Sequence, residues 1–189
     1  MKELQNKFLR AQESQADLLP ADGLPGGIRA IPLPGHSFDM TGYLTPDGTL
    51  YAGDCVSSRE TLEKYGIGYL WDVGASLETL ASVKTVAANT VVPAHAPASE
   101  SIAELADFNA QAMHTTANVI LPLCAVPATF EVILQKLFAH YGLAMNVQQY
   151  ALIGSTLRSY LTWLYGQGKV SFFFEDNRML WQAKAPENA

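Results

Sequence analysis

Apolar and polar positions alternate with a period of two through IRAIPL, TGYLT and TLYAGD, between residues 28 and 54. That period predicts strands, and Pro46, Asp47 and Gly48 between the last two predict the turn of a β-hairpin. Upstream, Leu4, Phe8, Leu9 and Leu18 recur at helical spacing, which predicts a helix over residues 3–18 ending at the Pro20–Gly27 turn cluster. Downstream, Leu77, Leu80, Val83 and Val86 share one face of a helix expected from Ser76, its N-cap, to about Ala88. NTVVPAHAP then reads as a short buried strand, and a further helix is expected from about Ser99 to Asn118. Strands and helices alternate over residues 28–118 in the manner of an α/β layer.

The pattern changes at LPLCAVPATF, where Pro122 and Pro127 predict a linker. Beyond it, helices are expected over 129–141 and 147–165. KVSFFFE, the turn Asp176-Asn177 and RMLWQAK then form a hairpin. Helices closed by a hairpin resemble a winged-helix module, so the chain divides into residues 1–124 and 125–189. In a wing strand, alternation places at least one of Phe172, Phe173 and Phe174 in the core.

Composition narrows the functional classes. With 189 residues, 49% of them hydrophobic, the chain can bury a real core. No stretch has the apolar run of a membrane span, and MKELQNKFLRAQESQADLLP lacks the core of a signal peptide, so a cytoplasmic location is the expectation. Cys55 and Cys124 sit in apolar surroundings and read as reduced, largely buried thiols. The formal charge of −6 argues against nucleic acid as a partner, and Arg158, Lys169, Arg178 and Lys184 are balanced by Glu175, Asp176 and Glu187.

Three residues carry candidate chemistry. His36 lies in PLPGHSFDMTGY, Asp54 in LYAGDCVSS and His95 in VVPAHAP, each expected in a Gly- or Pro-rich loop at the C-terminal end of a strand. Any one of them alone is an ordinary loop residue. Imidazole and carboxylate are together the donors of zinc, iron or manganese sites, and a shared carboxylate can hold two cations. His114 in QAMHTTA and His140 in FAHYGL have no such companions at ligand spacing. Tyr65, Tyr69 and Trp71 in EKYGIGYLWD either edge a cleft or form an aromatic cluster.

The order PGHS, a hairpin ending in GD, a helix, a strand and PAH, with 18 residues from His36 to Asp54 and 41 from Asp54 to His95, resembles the metallo-β-lactamase superfamily. The resemblance implies the C-terminal half of an αββα sandwich followed by a winged-helix-like extension. It also implies that His36 binds one metal ion, Asp54 bridges two and His95 binds the second. The implied activity is metal-dependent hydrolysis of an ester, thioester, amide or phosphodiester by a metal-bound hydroxide. The family's H-x-H-x-D-H motif has no counterpart, since no histidine precedes His36. Two protein donors per cation fall short of the three or four of a stable zinc site, so weak metal binding and no activity of the chain by itself are expected. A shortened form of a longer hydrolase is the reading this favours, with homodimerisation to cover bare sheet surface. Two rivals stand beside it: a non-catalytic self-association or partner-binding protein, and a winged-helix nucleic-acid binder.

Overall fold

The computed structural model describes residues 23–185; the helix expected over 3–18 lies outside them. After a 3₁₀ turn at Pro25–Gly27, strands β1 (Arg29–Pro32), β2 (Thr41–Leu44) and β3 (Thr49–Ser57) run antiparallel in sequence order. Strand β4 (Thr90–His95) joins β3 in parallel. A parallel neighbour requires a crossover, and here it is built from α1 (Arg59–Tyr65) and α2 (Val73–Val83). Next come α3 (Ala103–Leu123), α4 (Phe130–His140) and α5 (Val147–Gly166). A hairpin of β5 (Val170–Glu175) and β6 (Arg178–Ala183) closes the described chain.

Alternation along the strands decides which face of the sheet the helices cover. Leu44, Leu50, Ala52, Val56 and Val91 are buried beneath α2 and α3. Tyr43 and Tyr51, paired across β2 and β3, stay exposed on the opposite face. One hydrophobic cluster continues from Leu33 to Val170, so α4, α5 and the hairpin share a core with the sheet layer.

Several expectations need correction. Helix α1, RETLEKY, is not expected from the sequence pattern, because seven residues hold too little periodicity to register, and only its last three residues fall in EKYGIGYLWD. Its N-cap is Ser58, whose hydroxyl accepts from the Thr61 amide at 3.1 Å. Helix α2 begins at Val73 and ends at Val83; Asp72 is the cap, accepting from the Ala75 amide at 2.9 Å, while Ser76 is inside the helix and buried. Helix α3 starts at Ala103 and continues to Leu123 through Pro122. Pro122 has no N–H to offer the Asn118 carbonyl, so the helix gives up one hydrogen bond in its last turn. The first three residues of LPLCAVPATF thus end α3, and residues 124–129 connect it to α4. Helices α4 and α5 and both hairpin strands lie where the pattern places them, with Asp176 and Asn177 at φ 48° and 58° as a two-residue hairpin turn demands. Phe172, Phe173 and Phe174 are all exposed, against the expected core role. The hairpin has no third strand; its buried side chains are Val170 at the base and Leu180, which pairs with Phe173, and the three phenylalanine rings lie outside that covered patch.

Candidate metal centre

His36 follows the end of β1, in a loop pressed against the start of α2. The Gly35 carbonyl accepts from the amides of Trp71 and Asp72, both at 2.9 Å. The Thr79 hydroxyl donates to the Pro34 carbonyl at 2.7 Å. Gly35 has φ +128°, and a Cβ there would stand 2.5 Å from the Ser76 backbone, so glycine is required by both conformation and space.

Asp54 is not at a strand end, as the sequence suggests, but inside β3. Gly53, at φ 54°, lies where the pairing with β4 shifts register, on both sides of it. Such a bulge re-aims the next side chain. His95 is the last residue of β4, and its carbonyl accepts from the Ser58 amide at 2.9 Å. Asn109 of α3 fixes the end of β3, accepting from the Ser57 amide and donating to its carbonyl, each at 2.9 Å.

The three sequence-predicted residues come together. The Nε2 of His36 lies 3.5 Å from one carboxylate oxygen of Asp54, and the Nε2 of His95 lies 3.3 Å from the other. Two donors on one tetrahedral zinc, each about 2.1 Å from it, stand about 3.4 Å apart. A carboxylate offering one oxygen to each of two imidazoles thus has the layout of a bridging ligand between two half-sites. Burial is the main influence on His36 and lowers its pKa; Asp54 acts against it, His95 with it, and hydrogen bonding to the Tyr69 backbone against it. A neutral imidazole has its lone pair free for coordination.

The donor types suit a cation, but their number does not. Each half-site has two protein donors, and among the described residues no group of three or more His, Cys, Asp or Glu could hold a metal ion.

Of the residues around the centre, the sequence singled out Tyr69, as a residue edging a cleft or joining an aromatic cluster, but neither Asn109 nor Thr156. The Tyr69 ring meets His36 edge-on, with centroids 5.2 Å apart. The backbone beside it is clasped by a buried residue of α5: the Thr156 hydroxyl accepts from the Leu70 amide at 3.0 Å and lies 3.2 Å from the Gly68 carbonyl. A threonine inside a long helix carries no sequence signal for that role. Tyr65 lines a groove beside His95, and Trp71 lies away from both, in a groove with Arg158. The three aromatics thus form no single cluster. His114 lies near Trp163, and His140 packs edge-on against Tyr141.

Neither any family model nor any curated protein matches the chain. Solved structures do. A metallo-β-lactamase family protein from Thermus thermophilus superposes with a TM-score of 0.64 at 15% identity, covering 83% of this chain and 49% of that one. A β-lactamase domain protein from Burkholderia ambifaria gives 0.60 at 18% identity, covering 93% and 52%. The fold is the metallo-β-lactamase fold.

The chain spans about half the length of the metallo-β-lactamase-fold structures it matches. Residues 1–124 make up only about two thirds of the chain, so a match over 83% extends beyond residue 124. Part of the C-terminal helices and hairpin therefore superposes on the Thermus thermophilus structure as well. Among the described residues, no helix is long and apolar enough to cross a membrane. Cys55 and Cys124 are unpaired thiols, as expected.

Proposed function

We propose that the chain is the C-terminal part of a metal-dependent hydrolase, with His36, Asp54 and His95 as three of its metal ligands and the rest supplied from outside the described residues. The observation that carries this reading is the Asp54 carboxylate, turned by the Gly53 bulge so that one oxygen faces each histidine. Bound zinc, iron or manganese would lower the pKa of a water and polarise a carbonyl. The chain's own contribution is to orient the donors: the Gly35 clamp holds His36, and Asn109 and the Ser58 amide hold the ends of β3 and β4.

Metal titration tests the reading. Zinc should bind the purified chain far more weakly than it binds a four-donor site. Asp54→Ala, which removes the donor common to both half-sites, should abolish binding. His36→Ala and His95→Ala should each leave one half-site weakened. Binding unchanged in Asp54→Ala, or tight stoichiometric metal in the wild type, would sink the assignment.

A second reading, self-association of the chain, is favoured by the exposed Tyr43–Tyr51 pair on the sheet face that no described element covers. It is compatible with the first. A nucleic-acid role has less support: neither the cavity beside His36 nor the groove beside His95 is lined by a lysine or arginine.

A further inference from the structure

The hairpin of β5 and β6 has two outer edges, and they differ. On the β6 side, the Trp181 amide donates to the Ala128 carbonyl at 2.9 Å and the Ala128 amide to the Trp181 carbonyl at 3.1 Å, while the Ala183 amide donates to the Cys124 carbonyl at 2.7 Å. Trp181 and Ala183 thus turn their backbone groups away from β5. Phe172 and Val170, which stand opposite them, turn theirs away from β6, and Phe174 follows by the two-residue period. On that β5 side nothing answers: among the described residues, the outward amides and carbonyls of Phe172 and Phe174 have no backbone partner. Val170 is fully buried, but Phe172 and Phe174 are 39% and 72% exposed.

An unpaired edge is a template for another strand unless a proline, a bulge or a charge in its middle blunts it. Strand β5 has none of these. VSFFFE pairs with β6 without a shift of register, and the charges stand only at its ends, Lys169 just before it and Glu175 as its last residue. Neither has an ion-pair partner among the described residues. The Lys169 ammonium lies 5.9 Å from the Trp163 ring centroid, the outer limit of a cation–π contact. A strand that is basic at one end, acidic at the other and Phe-Phe-Phe between them is complementary to its own reverse.

We propose that the outer edge of β5 is a contact between two copies of this chain, in which the second copy adds its own β5 antiparallel about a two-fold axis through Phe173. The two hairpins then form one continuous sheet. A parallel addition would set lysine beside lysine and glutamate beside glutamate. Burial selects the register. An axis through Phe172 would require the covered backbone of Val170 to pair with Phe174 of the second copy, whereas an axis through Phe173 uses only exposed positions. Phe172 then meets Phe174 of the second copy, Phe174 meets its Phe172, and each pair exchanges both of its hydrogen bonds. The Phe173 side chains meet across the axis, and Lys169 stands diagonal to Glu175 of the second copy, a spacing that a long side chain can bridge. The contact depends neither on the metal reading nor on the Tyr43–Tyr51 face.

Disulfide trapping in the full chain tests both the contact and its register. Across the axis the two Cα atoms of residue 173 stand about 4.5 Å apart, within the span of a disulfide. Phe173→Cys should therefore oxidise to a dimer at micromolar concentration much faster than Phe38→Cys, which places a thiol at another exposed site, 80% open to solvent. Adding Tyr51→Lys should leave that rate unchanged. Hydrogen exchange gives a second measurement: rising protein concentration should slow the outward amides of Phe172 and Phe174 and leave that of Phe173, which faces β6, as it was. Lys169→Glu and Glu175→Lys, both at exposed positions, should each weaken the dimer about two- to fivefold, and the double exchange should restore it. Oxidation of Phe173→Cys no faster than that of Phe38→Cys, exchange independent of concentration, or a double exchange that restores nothing would each overturn the contact. Protection of Phe172 and Phe174 that needs an added unrelated extended peptide would assign the edge to a foreign strand and overturn the second copy as its occupant.

Discussion

Gly35 and Thr156 do more for the centre than their chemistry suggests. Any side chain at Gly35 meets the Ser76 backbone and forces an unfavourable φ. Gly35→Ala should therefore lower stability by about 1–3 kcal/mol in urea denaturation and displace the His36 resonances. Thr156→Val would keep the shape but leave the Leu70 amide without its acceptor, with a similar loss of about 1–3 kcal/mol. Thr156→Ser should restore both stability and the His36 ring signals, an outcome that a packing effect alone would not give. The thiols give a prediction of the opposite kind. Burial pushes Cys55 up to about 12 and Cys124 up to about 11, from an ordinary value near 9. The folded chain thus keeps thiol protons that the unfolded chain has released. Above about pH 9 the unfolded state binds fewer protons, and stability must fall as pH rises toward these values. Denaturation midpoints measured from pH 8 to 11 should show this fall, and it should be shallower in Cys124→Ala. Thiol reagents should label neither cysteine in the native protein at pH 8.

At the scale of elements, legibility followed local pattern. Strands β1 to β4, helices α4 and α5 and the β5–β6 turn repeat a period or use residues that demand one conformation, so they could be read from sequence. Helix α1 is too short to show a period. The pattern points to Ser76 as the cap of α2, whereas Asp72 holds it and Ser76 is buried inside the helix, a difference that only tertiary burial makes. Asp72→Ala should cost about 1 kcal/mol, while Ser76→Ala, which removes an unpaired buried hydroxyl, should cost nothing or stabilise, as thermal melts of the two variants can compare. The convergence of His36, Asp54 and His95 was legible through motif and spacing. The bulge that aims Asp54 was not, because a glycine in a strand does not reveal how the neighbouring strand pairs. Nor did the triplet FFF disclose its exposure, since that depends on what covers the hairpin.

For the molecule as a whole, the sheet has one face beneath helices and one bearing Tyr43 and Tyr51. An aromatic pair on a sheet face that no described element covers favours contact with another surface. Sedimentation at micromolar concentrations should show reversible self-association, and Tyr51→Lys should move the population toward monomer. A wild-type chain that stays monomeric throughout would remove the second copy as the cover of this face.

The Thr156 clasp also bears on how such a protein can be rearranged. The backbone beside the His36 ring is completed by a hydroxyl 86 residues away, and Ser159, one turn further along α5, accepts from the Val73 amide at 2.8 Å. An exchange of the segment beyond residue 125 for that of a distant relative would therefore alter the wall of the centre without changing any of its three donors. The two portions can vary as a pair but are not interchangeable cassettes, and a chimera joined near residue 125 should keep the placement of the His36 loop only if residues 156 and 159 carry hydroxyls.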